Sequence, residues 1–382
     1  MELYNRKCKH GIGDSCMRIL HLEYSGNTGG IEKLCKDIGV CSSHDENYFL
    51  FVHEAGTIYE EMQAEYLNVE CLYLKNKEII KLYRYVDKYV KKYNIDVIVI
   101  HHPSPLIWLA MILYQRKRKR AKVVTYVHNT YLEIVRNSCI KSCIYNRLLK
   151  KTDAIVAISN CVKQSVIDNV TIQKNKIKVI YNGTTFSNRD VDTEARDFHN
   201  PIRLIYIGRL IEKKGVQFLI DAFSELIDKE KYSLTIVGDG EYREKLEGKV
   251  RESNLSEYIN FLGNQRNVND LLSNADIFIH PAIWEEGFGI TIIEAMARGK
   301  LCIASKRGAI PEIISDGVNG LLVESANAKQ LAEKIKYVGE IMPKKERERI
   351  QENALRDVKR FSIDVLIENL HELYNCIYRE NK

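Results

Sequence analysis

Two carboxylates, Glu286 and Glu294, stand eight positions apart in the segment HPAIWEEGFGITIIEAMARGKLCIASKRGAIPE (280–312), with the turn Gly287, Phe288, Gly289 between them. Paired carboxylates could share acid–base work. A glycine turn that opens a helix presents free N–H groups and a partial positive charge to an anion such as phosphate. A second group is GRLIEKKG (208–215), in which Gly208 and Arg209 follow an apolar run and Lys214 comes five residues after the arginine. A planar guanidinium fork beside a point charge suits a diphosphate. Histidines close two other apolar runs, His101 and His102 after one and His128 after another, and SGNTGG (25–30) sets Gly29 and Gly30 before a helical pattern. Each group also has a plainer reading, as a tight turn, a solvated basic loop or a hydrogen-bonding histidine at a strand end, so placement must decide.

The elements that place these groups are short β-branched runs alternating with longer helical patterns, the mark of parallel sheets with crossover helices. Strands are expected at 18–24, 48–52, 95–100, 123–127, 154–158 and 178–181, then, after the polar stretch NRDVDTEARDFHN (188–200), at 203–207, 233–237, 259–261, 277–279, 301–304 and 321–323. A helix is expected over 290–298, closed by Gly299 where a C-terminal glycine belongs. The chain therefore reads as α/β, with two doubly wound Rossmann-like domains at 17–190 and 200–362 and a helical segment, 363–382, expected to pack back on the first. In such sheets ligands bind beyond the carboxyl ends of the strands, which is where the groups above fall.

At 382 residues and 45% hydrophobic content the chain can bury two cores. Its net charge of +6 and pI near 8.6 suit anionic ligands. No zinc-finger spacing, aromatic RNA-binding signature or long basic tail accompanies that charge, so nucleic acid is not an expected partner. The ten cysteines are scattered without a CxxC pair and read as reduced thiols of a cytoplasmic protein, with Cys139 and Cys143 assigned to packing and no metal site expected. Residues 1–16 lack the apolar core of a secretory signal and read as a loose extension. PLIWLAMILY (105–114) is too short to span a bilayer, which needs about 20 residues. With the basic cluster that follows, 105–120 is either a buried helix with a solvated end or a surface for an anionic membrane.

Taken together, GRLIEKKG (208–215), VGDG (237–240), FLG (261–263), EEGFGITIIEAMARG (285–299), Pro311-Glu312 and DGVNGLLV (316–323) resemble the motif series of the retaining GT-B glycosyltransferases of family 4, in order and spacing across nearly the whole second domain. In the first domain the resemblance is looser and rests on Gly29, Gly30, Ile31 and Glu32, on His128, on ISN (158–160) and on VIYNG (179–183). The resemblance implies a GT-B fold with two domains facing across a cleft and a nucleotide-sugar donor, a UDP-sugar favoured, bound as substrate without a cofactor. Arg209 and Lys214 would hold the donor diphosphate, Glu294 the ribose hydroxyls and Glu286 the transferred sugar. The backbone of Gly208 and of Gly287, Phe288 and Gly289 would approach sugar and phosphate. His128 would meet the sugar from the first domain, and Gly29 and Gly30 would admit the diphosphate. One departure stands out: a Gly-Gly pair expected before Pro311-Glu312 is Gly308-Ala309 here, which requires ordinary backbone angles at Ala309.

The implied acceptor is a saccharide or lipid-linked saccharide in polysaccharide or glycan assembly, facing His101, His102 and the loop after Tyr126. The nucleobase would be read by backbone near Phe261 to Arg266. With Glu294 on the ribose, the two carboxylates cannot form a dyad of about 5–5.5 Å separation. A same-face transfer assisted by the leaving phosphate is expected instead, its charge met by Arg209 and Lys214 without a metal. Asp190-Val191-Asp192 is a competing metal-binding pattern, set aside because the Arg/Lys pair already answers the phosphate charge. A sugar-nucleotide 2-epimerase of the same architecture and a non-catalytic sugar-nucleotide-binding subunit are the alternative readings.

Overall fold

The computed structural model describes residues 16–117, 120–186, 197–265 and 267–379. Residues 1–15, Arg118 and Lys119 of the basic cluster, Asp190-Val191-Asp192 and Arg266 thus lie outside the described residues, as does 380–382. The chain divides into two compact units, 1–185 together with 363–382, and 186–362.

Unit 1 carries β1 (Arg18–Ser25), β2 (Glu46–Glu54), β3 (Asn68–Cys71), β4 (Val97–Ile100), β5 (Lys122–Val127), β6 (Ala154–Ala157) and β7 (Ile177–Val179). They form one parallel sheet in the order β3-β2-β1-β4-β5-β6-β7, with Leu22 opposite Ile100 and Ile100 opposite Thr125. Strands such as VIVI in β4 and AIVA in β6 are buried at every position, as expected where helices cover both faces. β3 has no counterpart among the expected strands. Its sequence, NVEC, is half-exposed at the sheet edge and carries no apolar run.

Unit 2 carries β8 (Ile202–Ile207), β9 (Tyr232–Val237), β10 (Ile259–Gly263), β11 (Ile277–His280), β12 (Leu301–Ser305) and β13 (Leu321–Val323), in the order β10-β9-β8-β11-β12-β13. Chain direction across the sheet reverses between β1 and β4 in unit 1 and between β8 and β11 in unit 2, so the loops after these strands bound the crevice where such sheets take ligands. The helix Val216–Glu225 shows why its segment folds so: Val216, Leu219, Ile220 and Phe223 recur at helical spacing and are all buried, closing the core with Tyr206, Ile236 and Ile303.

The helix after β11 runs Ile290–Met296, shorter than 290–298, and ends through Gly299, whose φ of 64° lets Lys300 N reach Ala295 O at 3.1 Å. The last helix, Ile363–Arg379, belongs to unit 1: Ile363 N donates to Thr184 O at 3.0 Å and His371 Nδ1 bonds Asp45 Oδ2 at 2.9 Å.

The apolar segment forms the helix Pro105–Arg116, whose Leu106, Ile107, Trp108, Met111, Ile112 and Tyr114 are buried within unit 1. These six side chains are core, while Leu109 and Leu113 are half-buried. No helix among the described residues is long and apolar enough to cross a membrane. Cys139 and Cys143 correct the expectation of packing, since both are exposed on the helix Cys139–Lys151.

Candidate active site

In unit 2 the loops after β8 and β11 are stitched together. Ile283 N donates to Lys213 O at 3.0 Å, and the Lys213 ammonium lies 4.1 Å from the centre of the Trp284 ring. Gly215, with φ 72°, packs so closely that a Cβ there would collide with Pro281 O. This closure sets Lys214 Nζ 2.6 Å from Glu286 Oε2, and His280 Nε2 at the end of β11 lies 3.3 Å from the same oxygen. Burial by itself would raise the Glu286 pKa, but the Lys214 ammonium and the His280 ring outweigh it and hold the carboxyl far below the usual carboxylate range. Both contacts fall on Oε2, and Oε1 makes no hydrogen bond to a described residue.

Arg209 follows Gly208 on the same loop. Its carbonyl accepts from Tyr206 Oη at 3.2 Å, while its exposed guanidinium forms no ion pair with a described carboxylate. The buried Tyr206 hydroxyl has its pKa pushed up by burial and further by the Glu286 charge, and lowered by Arg209, so both charges lie within its electrostatic reach. The structure thus brings Lys214 and Glu286 into contact, with Arg209 close by, but pairs the lysine with the carboxylate instead of leaving it a free cation.

Gly289 caps the helix Ile290–Met296 with φ 108°, and Gly287 precedes it in the same turn. The Phe288 side chain is buried against Phe361, ring centres 5.4 Å apart. Glu294 is buried on the helix, and its backbone oxygen accepts from Arg298 Nη1 at 2.9 Å. The Gly308-Ala309 departure is accommodated. Gly308 takes φ 56° where a Cβ would collide with the backbone N and O of Glu286, whereas Ala309 has φ −84° and donates its N–H to Glu286 O at 2.8 Å. Glycine is required at the first position only.

In unit 1, Gly29 and Gly30 open the helix Gly30–Cys41, and a Cβ on Gly29 would meet the nearly buried carboxylate of Glu32. His128 stacks on Tyr126 with ring centres 4.5 Å apart, and its Nε2 lies 3.2 Å from His101 Nδ1. His101 is itself buried and bonded through Nε2 to His21 Nδ1 at 2.9 Å, which corrects its placement facing an acceptor: it is an internal link. His102 is partly buried, its ring stacked on Tyr24. Burial lowers the pKa of His102 and His21 to about 4 and of His128 to about 3. Beside them Cys35 Sγ bonds Glu23 Oε1 at 2.9 Å. His21, Cys35 and His101 place ligand atoms within 4.8 Å of one another, the grouping among the described residues that could hold a metal ion, although hydrogen bonds already occupy most of these atoms.

Tyr206, His280, His21 and Glu23 are the residues that sequence reasoning missed. His280 closes an apolar run as His128 does, and that shared signal could have found it.

Two family models match consecutive parts of the chain, Glycosyltransferase Family 4 over residues 47–187 and Glycosyl transferases group 1 over residues 188–357. The structure of a glycosyltransferase from Rickettsia africae superposes with a TM-score of 0.81 at 25% identity, covering 95% of this chain and 99% of that one. The UDP-glucose complex of Anabaena HepE shares the fold, with a TM-score of 0.78 at 23% identity over 94% of this chain and 100% of that one. Among curated relatives, the N,N'-diacetylbacillosaminyl-diphospho-undecaprenol alpha-1,3-N-acetylgalactosaminyltransferase of Campylobacter jejuni is 26% identical over 317 residues, 79% of this chain and 82% of the relative. With two doubly wound units and both family models in register, the chain belongs to the GT-B glycosyltransferases of group 1 and family 4.

Proposed function

We propose that this glycosyltransferase of glycan assembly is a retaining, metal-independent enzyme that moves a sugar from a UDP-sugar to a saccharide or lipid-linked saccharide acceptor in the cytoplasm. The observation that carries the donor half is the exposed guanidinium of Arg209, paired with no described carboxylate, beside the Lys214–Glu286–His280 cluster at the β8 and β11 strand ends. Such a guanidinium and an ammonium whose carboxylate partner can be exchanged are suited to a diphosphate. Glu294 is proposed to hold the ribose, Oε1 of Glu286 a hydroxyl of the transferred sugar, and the backbone of Gly287 and Gly289 the sugar and phosphate. UDP is favoured because the structurally similar Anabaena HepE is described in complex with UDP-glucose. A lipid-linked acceptor is favoured by the diphospho-undecaprenol in the name of the Campylobacter relative.

In the proposed reaction the bond from the sugar's anomeric carbon to the diphosphate oxygen breaks, and the acceptor oxygen bonds that carbon from the same face. The acceptor proton passes to the departing phosphate. Arg209 and Lys214 stabilise the charge gathering on the leaving group, commonly the largest catalytic term. His128 of unit 1 is proposed to accept a hydrogen bond from a sugar hydroxyl, and Gly29 and Gly30 to leave room for phosphate.

The test is nucleotide release from UDP-, GDP- and ADP-sugars with and without a saccharide acceptor, with the anomeric configuration of the product read by NMR. Release of UDP that depends on acceptor and keeps the donor's configuration supports the proposal. Inverted product would overturn retention, and interconversion of free nucleotide sugars would point to the epimerase reading.

A further inference from the structure

Four polar side chains from neighbouring strands of unit 1 form one hydrogen-bonded chain, a half-buried asparagine and three buried histidines. Asn47 lies on β2, His21 on β1, His101 directly after β4 and His128 directly after β5. His21 Nε2 lies 2.9 Å from Asn47 Oδ1, His21 Nδ1 lies 2.9 Å from His101 Nε2, and His101 Nδ1 lies 3.2 Å from His128 Nε2. His21, His101 and His128 are 1%, 2% and 7% exposed, so water has little access to replace a mismatched contact.

A neutral imidazole has one donor and one acceptor, and a row of them must therefore point one way. Asn47 decides which way. Its Nδ2 donates to Asp45 O at 3.3 Å, which turns Oδ1, an acceptor, toward His21. His21 must then carry its proton on Nε2 and present a lone pair at Nδ1. His101 must donate from Nε2 and accept at Nδ1, and His128 must donate from Nε2. The reverse order would set a lone pair of His21 against Asn47 Oδ1, or, with the amide turned, Oδ1 against Asp45 O, each a contact of two acceptors at a half-buried amide. A doubly protonated His21 or His101 would donate at both nitrogens and leave His128 Nε2 to accept, reversing the order. Burial, which lowers the pKa of all three rings, keeps them singly protonated. The nearest carboxyl, Glu23, does not break the order. Its Oε1 lies 3.9 Å from His101 Nδ1, beyond hydrogen-bond reach, and burial raises its pKa.

We propose that Asn47, His21 and His101 are positioning residues that lock His128 in the tautomer with Nε2 protonated and Nδ1 bearing the lone pair. Nδ1 of His128 makes no hydrogen bond to a described residue, so the lone pair is the face left for a ligand. That face accepts from a sugar hydroxyl and repels phosphate or acetamido carbonyl oxygens. The specificity so inferred rests on the proposed ligand contact of His128, whereas the tautomer order does not.

The test uses the full chain labelled with 15N-histidine, unliganded at neutral pH, with tautomers read from long-range 1H–15N correlation and His128 assigned by its loss in His128→Gln. The expected spectrum shows a pyrrole-like Nε2 and a pyridine-like Nδ1 for His128. The opposite pattern in the wild type overturns the relay. Asn47→Leu, which deletes the terminal acceptor, is expected to turn His128 into a mixture of tautomers, and Asn47→Asp, which keeps an acceptor, to restore the single form. An unmixed His128 in a folded Asn47→Leu also overturns the relay. Loss of one hydrogen bond's worth of orientation predicts a fall of about tenfold in kcat for Asn47→Leu with little change in donor KM. If the wild-type tautomer is as expected but kcat is unchanged, the relay stands and the ligand role of His128 falls.

Discussion

Lys214 Nζ and Glu286 Oε2 lie 2.6 Å apart although 72 positions separate them in the chain, because the strands that deliver them, β8 and β11, are neighbours at the reversal point of the second sheet. The lysine side chain is 21% exposed and the glutamate 18% exposed, so the pair is only partly screened by solvent. A donor diphosphate arriving there must compete with Glu286 for the ammonium. Replacing Glu286 by Gln removes the competitor, so UDP binding is expected to be retained or tightened while turnover falls about 100-fold. Lys214→Met leaves the carboxylate with His280 alone, and both UDP affinity and turnover are expected to fall. Calorimetric titration with UDP and steady-state rates on both variants check this, and a weakening of UDP binding in Glu286→Gln would contradict it.

Gly308 and Ala309 separate backbone need from side-chain tolerance. Gly308→Ala places a Cβ against the N and O of Glu286 at φ 56°, and the strain is expected to cost about 1–3 kcal/mol and to reduce kcat/KM by displacing Glu286. Ala309→Gly, at φ −84°, is expected to cost about 0.5–1 kcal/mol through chain entropy, with catalysis preserved. Thermal unfolding and kcat/KM of the two single variants give the comparison. Equal effects would remove the distinction.

Much of the fold is legible in the sequence because both sheets are buried on both faces and their central strands are unbroken apolar runs, as in VIVI of β4. β3 is not, since a half-exposed edge strand has no such run. Arg209, Lys214, Glu286 and Gly289 could be read as a strand-end group because strand ends follow from the runs. That Lys214 would be paired with Glu286, that Phe288 would turn inward to Phe361, and that His101 would be buried depend on side-chain directions across loops, which periodicity does not carry.

The buried histidines make unit 1 acid-sensitive. His21 and His102 are depressed to about 4 and His128 to about 3, below the ordinary value of about 6.5 that an unfolded chain regains. Between about pH 6.5 and 4 the unfolded state therefore binds more protons, so the stabilisation present at neutral pH is lost as pH falls through this window. The raised pKa of the Glu23 carboxyl acts in the opposite sense, but it is one group against several imidazoles. Urea unfolding followed by Trp108, buried in unit 1, in a Trp284→Phe background is expected to show lower stability at pH 5 than at pH 7. Equal or greater stability at pH 5 would contradict the assignment.

The donor assignment rests on Arg209, and calorimetric titration of UDP into the wild type, Arg209→Ala and His128→Ala tests it most directly. The account predicts saturable UDP binding by the wild type, a loss of about 10–100-fold in Arg209→Ala as a charge-assisted hydrogen bond is removed, and retained binding in His128→Ala. Wild-type affinity in Arg209→Ala would contradict it.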